Sequence, residues 1–510
     1  MGEQRYLLKP RRLGVDTHQE LVVYMRGDCH VCRSEGFNAH SRIQVNVNER
    51  SILATLNVIH GDWLAPDEFG LSESAWHALN PQDGERASFA HAPTVESMSA
   101  VRAKIYGNPL RDAQFDAIVS DVCKGFYTDV ELATFLTACA SRGLDHGETV
   151  GLTRAMINAG ERLDWRREMV VDKHCVGGLP GNRTTPLVVA MAAAEGLVMP
   201  KTSSRAITSP AGTADTMETL APVALSIADM RRVVEQEGGC IAWGGAVSLS
   251  PADDILIRIE RAIDLDSEGQ LVASVLSKKA AAGATHVVLD VPVGPTAKVR
   301  SETDARRLAA LLCDTGKAIG LAVRAVVTDG MQPVGRGIGP ALEARDVLAV
   351  LQNEDDAPAD LRERSIALAG AIFELGGLVA EGSGTALAAQ TLSSGRAWRK
   401  FQAICEAQGG MRTPPLAVLT QPVPATREGI VTAIDNRVLA RIAKLAGAPA
   451  APASGLDLHV RLGDRVERGQ PLFTLHAETT GELAYALEYL ETHTDVIRIG
   501  EQSDRSSASQ

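Results

Sequence analysis

The residues best suited to chemistry in this sequence form one run, Asp172-Lys173-His174-Cys175-Val176-Gly177-Gly178-Leu179-Pro180-Gly181-Asn182-Arg183-Thr184-Thr185-Pro186, followed by the apolar stretch Leu187 to Ala194. Three glycines let a backbone turn tightly and approach a ligand, and Thr184 or Thr185 can cap a helix that Pro186 begins. Free N–H groups at that helix start, with Lys173 nearby, make an anion site and point to phosphate. An ordinary strand-to-helix turn is the alternative reading. The spacing is neither a P-loop nor a dinucleotide fingerprint, and Gly335-Arg336-Gly337-Ile338-Gly339 also has the wrong spacing for the latter.

A second segment, Lys201 to Glu218, places six hydroxyl residues between Thr202 and Thr213 around Arg205. Small donors at that density suit oxygen-rich ligands, meaning phosphate and sugar hydroxyls. The competing reading is a solvated loop whose Thr213 caps a helix carrying Asp215 and Glu218 in its first turn. In a third segment, Asp264 to Lys279, a helical period puts Ser274 and Lys278 at i and i+4 on one face, with Asp266 at the helix entry. Lys298 follows Gly294-Pro295 after a strand-like run, where a lysine usually faces solvent.

The elements that must position these residues follow from periodicity. Residues 1 to 88 alternate apolar and polar positions in short pieces, such as Ile43 to Val47 and Ile52 to Leu56, and read as a small β-rich module. Ser88 to Thr94 reads as a linker. From Val95 to Asn158 the apolar residues recur at three and four, as in Ile118, Val122 and Phe126, with Thr128-Asp129 offering caps, so several short helices are expected. Met169-Val170-Val171 reads as a buried strand opening the glycine turn. Strand-like runs at Thr285 to Val291 and Leu321 to Val327, separated by a helical Asp304 to Thr315, then argue for an α/β sheet with crossover helices. Pro414-Pro415, Pro422 and Pro424 mark a boundary, Ala448 to Ser454 a connector, and the tail after Arg505 is expected to be disordered. The stretch Gly455 to Leu475, with two Gly turns, resembles the barrel-sandwich hairpins of biotin and lipoyl carriers; a carrier needs a modifiable lysine, and the last one is Lys444, which leaves a structural or assembly module.

Composition narrows the function classes. Lys and Arg number 51 against 63 Asp and Glu, a formal net charge of −12, so a basic footprint for nucleic acid is missing and any phosphate must be held locally. The N-terminal residues carry no apolar core of signal-peptide length and the longest apolar run stops at Glu195, so a cytoplasmic, non-membrane protein is expected. Eight scattered cysteines fit a reducing compartment. Cys29-His30-Val31-Cys32 is half a zinc site with no second half at finger spacing, so no metal is expected.

These segments in this order, with Thr328 to Leu348 behind them, resemble the thymidine phosphorylase family over nearly the whole chain, in the long branch that includes AMP phosphorylases. Lys173 and His174 match the family's Lys-His-Ser, with Cys175 in place of the serine. Pyrimidine phosphorylases carry Ser-Gly-Arg-Gly-Leu-Gly-His-Thr-Gly-Gly-Thr in the second segment, whereas Ser203 to Thr213 here is similar to the AMP phosphorylase form. Ser274 and Lys278 match the Ser-x-x-x-Lys that pyrimidine enzymes use for the base; Arg258 and Arg261 straddle the position of their upstream arginine, and Glu260 stands near it.

The resemblance implies reversible phosphorolysis of a nucleoside N-glycosidic bond, with thymidine as the family default and AMP as the alternative. It implies Asp266 as proton donor with His174 as rival, and Lys173, Thr184 and Ser203 on phosphate. Gly178, Ser204, Arg205, Ala206, Ile207, Thr208, Ser209, Thr213, Ser274, Lys278 and Lys298 would bind the nucleoside or nucleotide. No cofactor beyond co-substrate phosphate and a homodimer or larger homo-oligomer are implied. The expected fold class is α/β: a helical domain (89–165, completed by 250–282) and a large α/β domain with a central mixed sheet (166–249 and 283–412). A small β-rich N-terminal module (1–88) and an α+β, barrel-sandwich-like C-terminal module (413–505) flank them. Two other classes compete. An anthranilate-type phosphoribosyltransferase would turn over phosphoribosyl pyrophosphate with magnesium, and a non-catalytic assembly protein would phosphorolyse nothing.

Overall fold

The computed structural model describes residues 7–17, 20–206, 209–247, 249–265 and 267–500. It divides into two compact units, 1–138 and 139–510, each treated by itself.

The first unit opens with a six-stranded mixed sheet in the spatial order Lys9–Arg12, Glu68–Leu71, Val22–Arg26, Arg50–Ile59, Arg42–Val47, Ser88–His91. Strict alternation drives it: Ile43, Val45 and Val47 point into the core while Arg42, Gln44 and Asn46 stay half-exposed. The stretch read as a linker is the last strand, Ser88–His91, because Phe89 packs edge-on against Phe69 with ring centroids 5.0 Å apart. Helices follow from Met98. Thr128 caps the helix Asp129–Arg142 as its sequence suggests, its hydroxyl accepting from the Glu131 amide at 3.3 Å.

The second unit holds the helices His146–Asn158, Pro251–Ile263 and Glu268–Ala281 and an α/β layer. Parallel strands run in the order Ala322–Asp329, His286–Val293, Val171–Cys175, and a second parallel pair joins Met199–Ser203 to Gly239–Trp243. The expected strand at Met169 begins two residues later and carries Asp172, Lys173 and His174 inside it. Such polar residues are tolerated there because their charges are met from neighbouring elements, as the site geometry shows. Behind the sheet, Thr184–Ala194 is apolar on every side and buried from Thr184 to Ala193, packed among Phe373, Phe401, Val347 and Ile372. Thr184 and Thr185 are not its cap, as expected, but its first helical residues; the cap position is Arg183, without a side-chain bond.

The C-terminal module is α+β. Strands Leu419–Pro424, Pro471–Ala477 and Gly455–Leu458 are antiparallel and extend to Gly337–Ile338 of the α/β region, so parallel and antiparallel pairing coexist in this unit. Pro422 and Pro424, read as boundary markers, lie in the outermost strand of this sheet, where a missing N–H costs no ladder bond. Helices Asn436–Leu445 and Thr480–Thr492 complete its core with Leu439, Ile442, Phe473 and Leu475. The tail after Arg505 lies outside the described residues. Fold class is thus as expected, a helical stretch and a large α/β domain between two smaller modules.

The segment Gly335 to Gly339 is shaped by Asp346, whose Oδ2 accepts from the amides of Arg336 at 2.6 Å and Gly337 at 2.7 Å. Burial pushes this carboxyl up to about 6, against the lowering by those amides. A carboxyl raised in the folded state stabilises the fold when protonated. Its contribution is therefore complete below the unfolded value near 4 and is lost as pH rises through about 6. Asp346→Asn, which keeps an acceptor oxygen, should flatten the fall in thermal midpoint between about pH 4 and about pH 6; a slope equal to that of the parent would exclude Asp346 as its source.

Candidate active site

The carboxyl ends of three parallel strands lead into three of the segments singled out by sequence, the end of a parallel sheet where ligands commonly bind. Strand Val171–Cys175 runs into the glycine turn, Met199–Ser203 into the second segment, and His286–Val293 into the loop bearing Lys298. Gly178, at φ +81°, packs so closely that a Cβ there would lie 2.5 Å from the Lys298 amide nitrogen. Only glycine brings the turn against that loop, and Lys298 itself is exposed above it.

Alternation along Val171–Cys175 sorts four polar side chains onto two faces. On one face Asp172, fully buried, meets Lys201 Nζ at 3.2 Å and Lys279 Nζ at 2.8 Å. Burial pushes the Asp172 carboxyl up, but the two lysines outweigh it and hold it below its ordinary value. His174 shares this face. Burial first, and then Lys279, Lys201, Lys278 and Lys173, hold its imidazole well below the usual range, so it is neutral at neutral pH. On the other face Lys173, 1% exposed, donates to Thr184 Oγ1 at 2.6 Å at the start of helix Thr184–Ala194. Burial lowers its amine, partly offset by Asp290 and Cys175. Asp290 is in turn held by Asn182 Nδ2 at 2.9 Å and Thr328 Oγ1 at 2.6 Å. The Cys175 thiol, pushed up to about 12 by burial, stays protonated.

In the second segment Ser203 ends its strand half-buried and Ser204 is exposed. Arg205 departs from expectation. Its guanidinium pairs with Glu218 at 2.5 and 3.1 Å and with Asp215 at 3.2 Å, and lies 4.8 Å over the Trp243 ring. Two carboxylates balance its charge, so it shapes the loop instead of collecting an anion. Asp215 Oδ2 also accepts from the amides of Ala206 at 2.6 Å and Gly212 at 2.9 Å, and Ser209 Oγ donates to Ala211 O at 2.9 Å. Gly212, not Thr213, is the cap of helix Thr213–Glu218. Ile207 and Thr208 lie outside the described residues.

Ser274 and Lys278 do share a half-exposed face of helix Glu268–Ala281. Lys278 pairs with the buried Asp253 of helix Pro251–Ile263, while Lys279, one residue on, turns inward to Asp172. Ser267 caps the helix, its hydroxyl accepting from Gln270 N at 3.3 Å; Asp266, just before it, lies outside the described residues. Arg258, Glu260 and Arg261 are all on helix Pro251–Ile263. A hollow of about 340 Å³ beside the second segment is lined by Arg205, Asp215, Glu218 and Arg412 with several prolines, and by none of Lys173, Ser274 or Lys298.

Family models agree with this layout. Residues 98–160 match the glycosyl transferase family helical bundle domain, 167–398 the a/b domain of the same family, and 430–496 the pyrimidine nucleoside phosphorylase C-terminal domain. A protein of Acidovorax sp. (strain JS42) named "Putative thymidine phosphorylase 1" is 62% identical over 506 residues, 99% of each chain. "Putative thymidine phosphorylase" of Polaromonas sp. is 63% identical, over 97% of each chain. The chain belongs to the thymidine phosphorylase family. Anthranilate phosphoribosyltransferase from Thermus thermophilus shares the fold, with a TM-score of 0.52 at 22% identity over 61% of this chain and 99% of that one.

In this family member the glycine turn and the second segment are joined by residues to which sequence reading gave no role. Arg183 donates from Nε to Glu343 Oε2 at 2.6 Å, from Nη1 to Thr213 Oγ1 at 2.7 Å and from Nη2 to Ala211 O at 2.9 Å. Thr216 Oγ1 donates to the same Glu343 oxygen at 3.0 Å. Asp172, Lys201 and Lys279 likewise had no role assigned; the readable signal was period-two alternation around Lys173 and the lysine that directly follows Lys278. Removing one partner of a buried ion pair costs about 3–5 kcal/mol. Glu343→Ala should therefore loosen the clamp and speed amide hydrogen exchange in peptides spanning Ser204 to Thr213, and equal exchange in parent and variant would show that the clamp does not order them.

Proposed function

We propose that this chain catalyses the reversible phosphorolysis of a nucleoside N-glycosidic bond. An oxygen of inorganic phosphate attacks C1′, the bond from C1′ to the base nitrogen breaks, and the base leaves with a proton, giving free base and a pentose 1-phosphate. Lys173 carries the reading: it is a buried amine bonded to Thr184 at a helix start whose amides have no side-chain cap. Phosphate held there by Lys173, Thr184, Ser203 and the glycine-turn amides would serve as nucleophile and as electrostatic partner of the oxocarbenium-like sugar.

The leaving base needs an acid. His174 is the weaker candidate, since burial and four lysines disfavour its imidazolium; as a neutral ring it would orient substrate by hydrogen bonding. We assign the proton to Asp266, whose carboxyl must be shielded from water to stay protonated near neutrality. Ser274 and Lys278 would receive the base and Lys298 the nucleoside's sugar end. The reaction calls for no organic cofactor, and phosphate is a co-substrate. A homodimer in the cytoplasm is the setting we propose, the latter supported by eight free thiols.

The names of the relatives support thymidine as substrate. A second reading, AMP, is favoured by the Ser203 to Thr213 segment, which departs from the pyrimidine form, and by the exposed Lys298 held against Gly178. Release of thymine from thymidine or of adenine from AMP, each with phosphate, decides between them, and release from no nucleoside or nucleotide would overturn the phosphorolysis reading. Asp266→Asn should lower kcat by about 10²–10⁴ with little change in KM for the nucleoside; undiminished turnover would take the acid role from Asp266. Lys173→Ala should raise KM for phosphate more than KM for the nucleoside, and equal increases would count against its phosphate role.

A further inference from the structure

The proposed reaction makes no use of Cys29-His30-Val31-Cys32 in the first unit. Cys29 is the cap residue of helix His30–Glu35, and its sulfur accepts from the Cys32 amide at 3.3 Å. The pair therefore occupies one helical turn, in which Cα atoms three residues apart are about 5–6 Å from each other, the separation that a disulfide spans. Cys32 Sγ donates to Met25 Sδ at 3.7 Å, and both cysteines belong to the apolar core of this unit. Both are nearly covered, at 1% and 4% exposure, while Gly27, Asp28, His30 and Arg33 beside them in the chain are exposed.

The two thiols are not equivalent. The neighbouring Cys32 sulfur, the amides of Cys32 and Val31, and His30 draw the Cys29 thiol down to about 6 against its burial. The Cys29 sulfur beside it, with burial, raises Cys32. Cys29, the cap residue whose sulfur accepts an amide at the helix start, is the thiol placed to act as nucleophile, with Cys32 one turn away to follow it. The other six cysteines have no such neighbour in sequence, and Cys175, Cys240 and Cys405 are pushed up to about 12 by burial.

We propose that Cys29 and Cys32 form a thiol–disulfide exchange site whose substrate is a low-molecular-mass disulfide of the glutathione class. The Cys29 thiolate attacks one sulfur of the small disulfide, forming a mixed disulfide and expelling one thiolate. Cys32 then loses its proton and attacks Cys29 Sγ, which closes the intramolecular disulfide and expels the second thiolate. The two protons of the original dithiol end on the two small thiols, and the two electrons reduce the small disulfide. Reduced glutathione in excess runs the sequence backwards.

The full chain, equilibrated with glutathione at varied ratios of oxidised to reduced form, quenched in acid, alkylated and digested, is the test. The peptide carrying Cys29 and Cys32 should lose two hydrogens at ratios where the other six cysteines still alkylate, and should recover them in excess reduced glutathione. Cys32→Ser should stop at a glutathionyl adduct on Cys29, and Cys29→Ser should leave Cys32 unmodified. Alkylation of both Cys29 and Cys32 at ratios that oxidise other cysteines would overturn the proposal, as would an adduct on Cys32 in the Cys29→Ser chain. The first arm uses no substitution, so a variant that fails to fold leaves the proposal open to refutation.

Discussion

Much of the candidate site depends on one carboxylate that water does not reach. Asp172 takes Lys201 from strand Met199–Ser203 and Lys279 from helix Glu268–Ala281, while its Oδ1 also accepts the Lys173 amide at 2.6 Å. Desolvating three charges is costly, and a pair of this kind rarely adds net stability over an apolar substitute. What it does add is placement. Two strands and a helix that could slide on a purely hydrophobic interface are pinned at the point where their ends must converge, and Lys173 and His174 follow Asp172 in the chain with their directions already decided.

That arrangement also bears on how an acidic protein could hold the phosphate proposed as its co-substrate. A net charge of −12 repels phosphate at long range, but at physiological ionic strength such repulsion fades over about 8 Å. Within that distance the balance is reversed. Around His174 lie Lys173, Lys201, Lys278 and Lys279, and the carboxylates paired with them are Asp172 and Asp253. Burial and these four lysines together keep His174 neutral, while Asp290 in turn favours the charged form of Lys173.

The glycine turn, the hydroxyl-rich segment and the Ser274 and Lys278 face were legible because each is a local signal: backbone freedom, donor density, helical period. The start of strand Val171–Cys175 was not, because Asp172, Lys173 and His174 look like loop residues until their partners are known, and those partners come from distant segments. The clamp from Arg183 to Glu343 spans 160 residues and no periodicity announces it. Arg205 differs: its partners Asp215 and Glu218 are close in sequence, yet a lone arginine among hydroxyls reads as an anion ligand unless the loop is folded back on itself. Ser88–His91 was hidden for another reason, since three half-buried residues and an exposed histidine carry too weak an alternation to separate an outer strand from a linker.

Cys175 shows how a change of motif residue can be absorbed. Where the family pattern has serine, a hydroxyl would be available to phosphate; a thiol is a weak donor, and this one stays protonated and accepts from Asn182 Nδ2 at 3.3 Å. Asn182 reaches on to Asp290, and Asp290 is the acidic group that most favours a charged Lys173. In the proposed phosphate site the work would shift from a direct hydroxyl contact to the electrostatics of the lysine, with Thr184 Oγ1, fixed by Lys173 Nζ, as the hydroxyl at the helix start. An anion bound there would depend on Lys173 more heavily than in a site that retains the serine, because one amine both orients the remaining hydroxyl and supplies the charge.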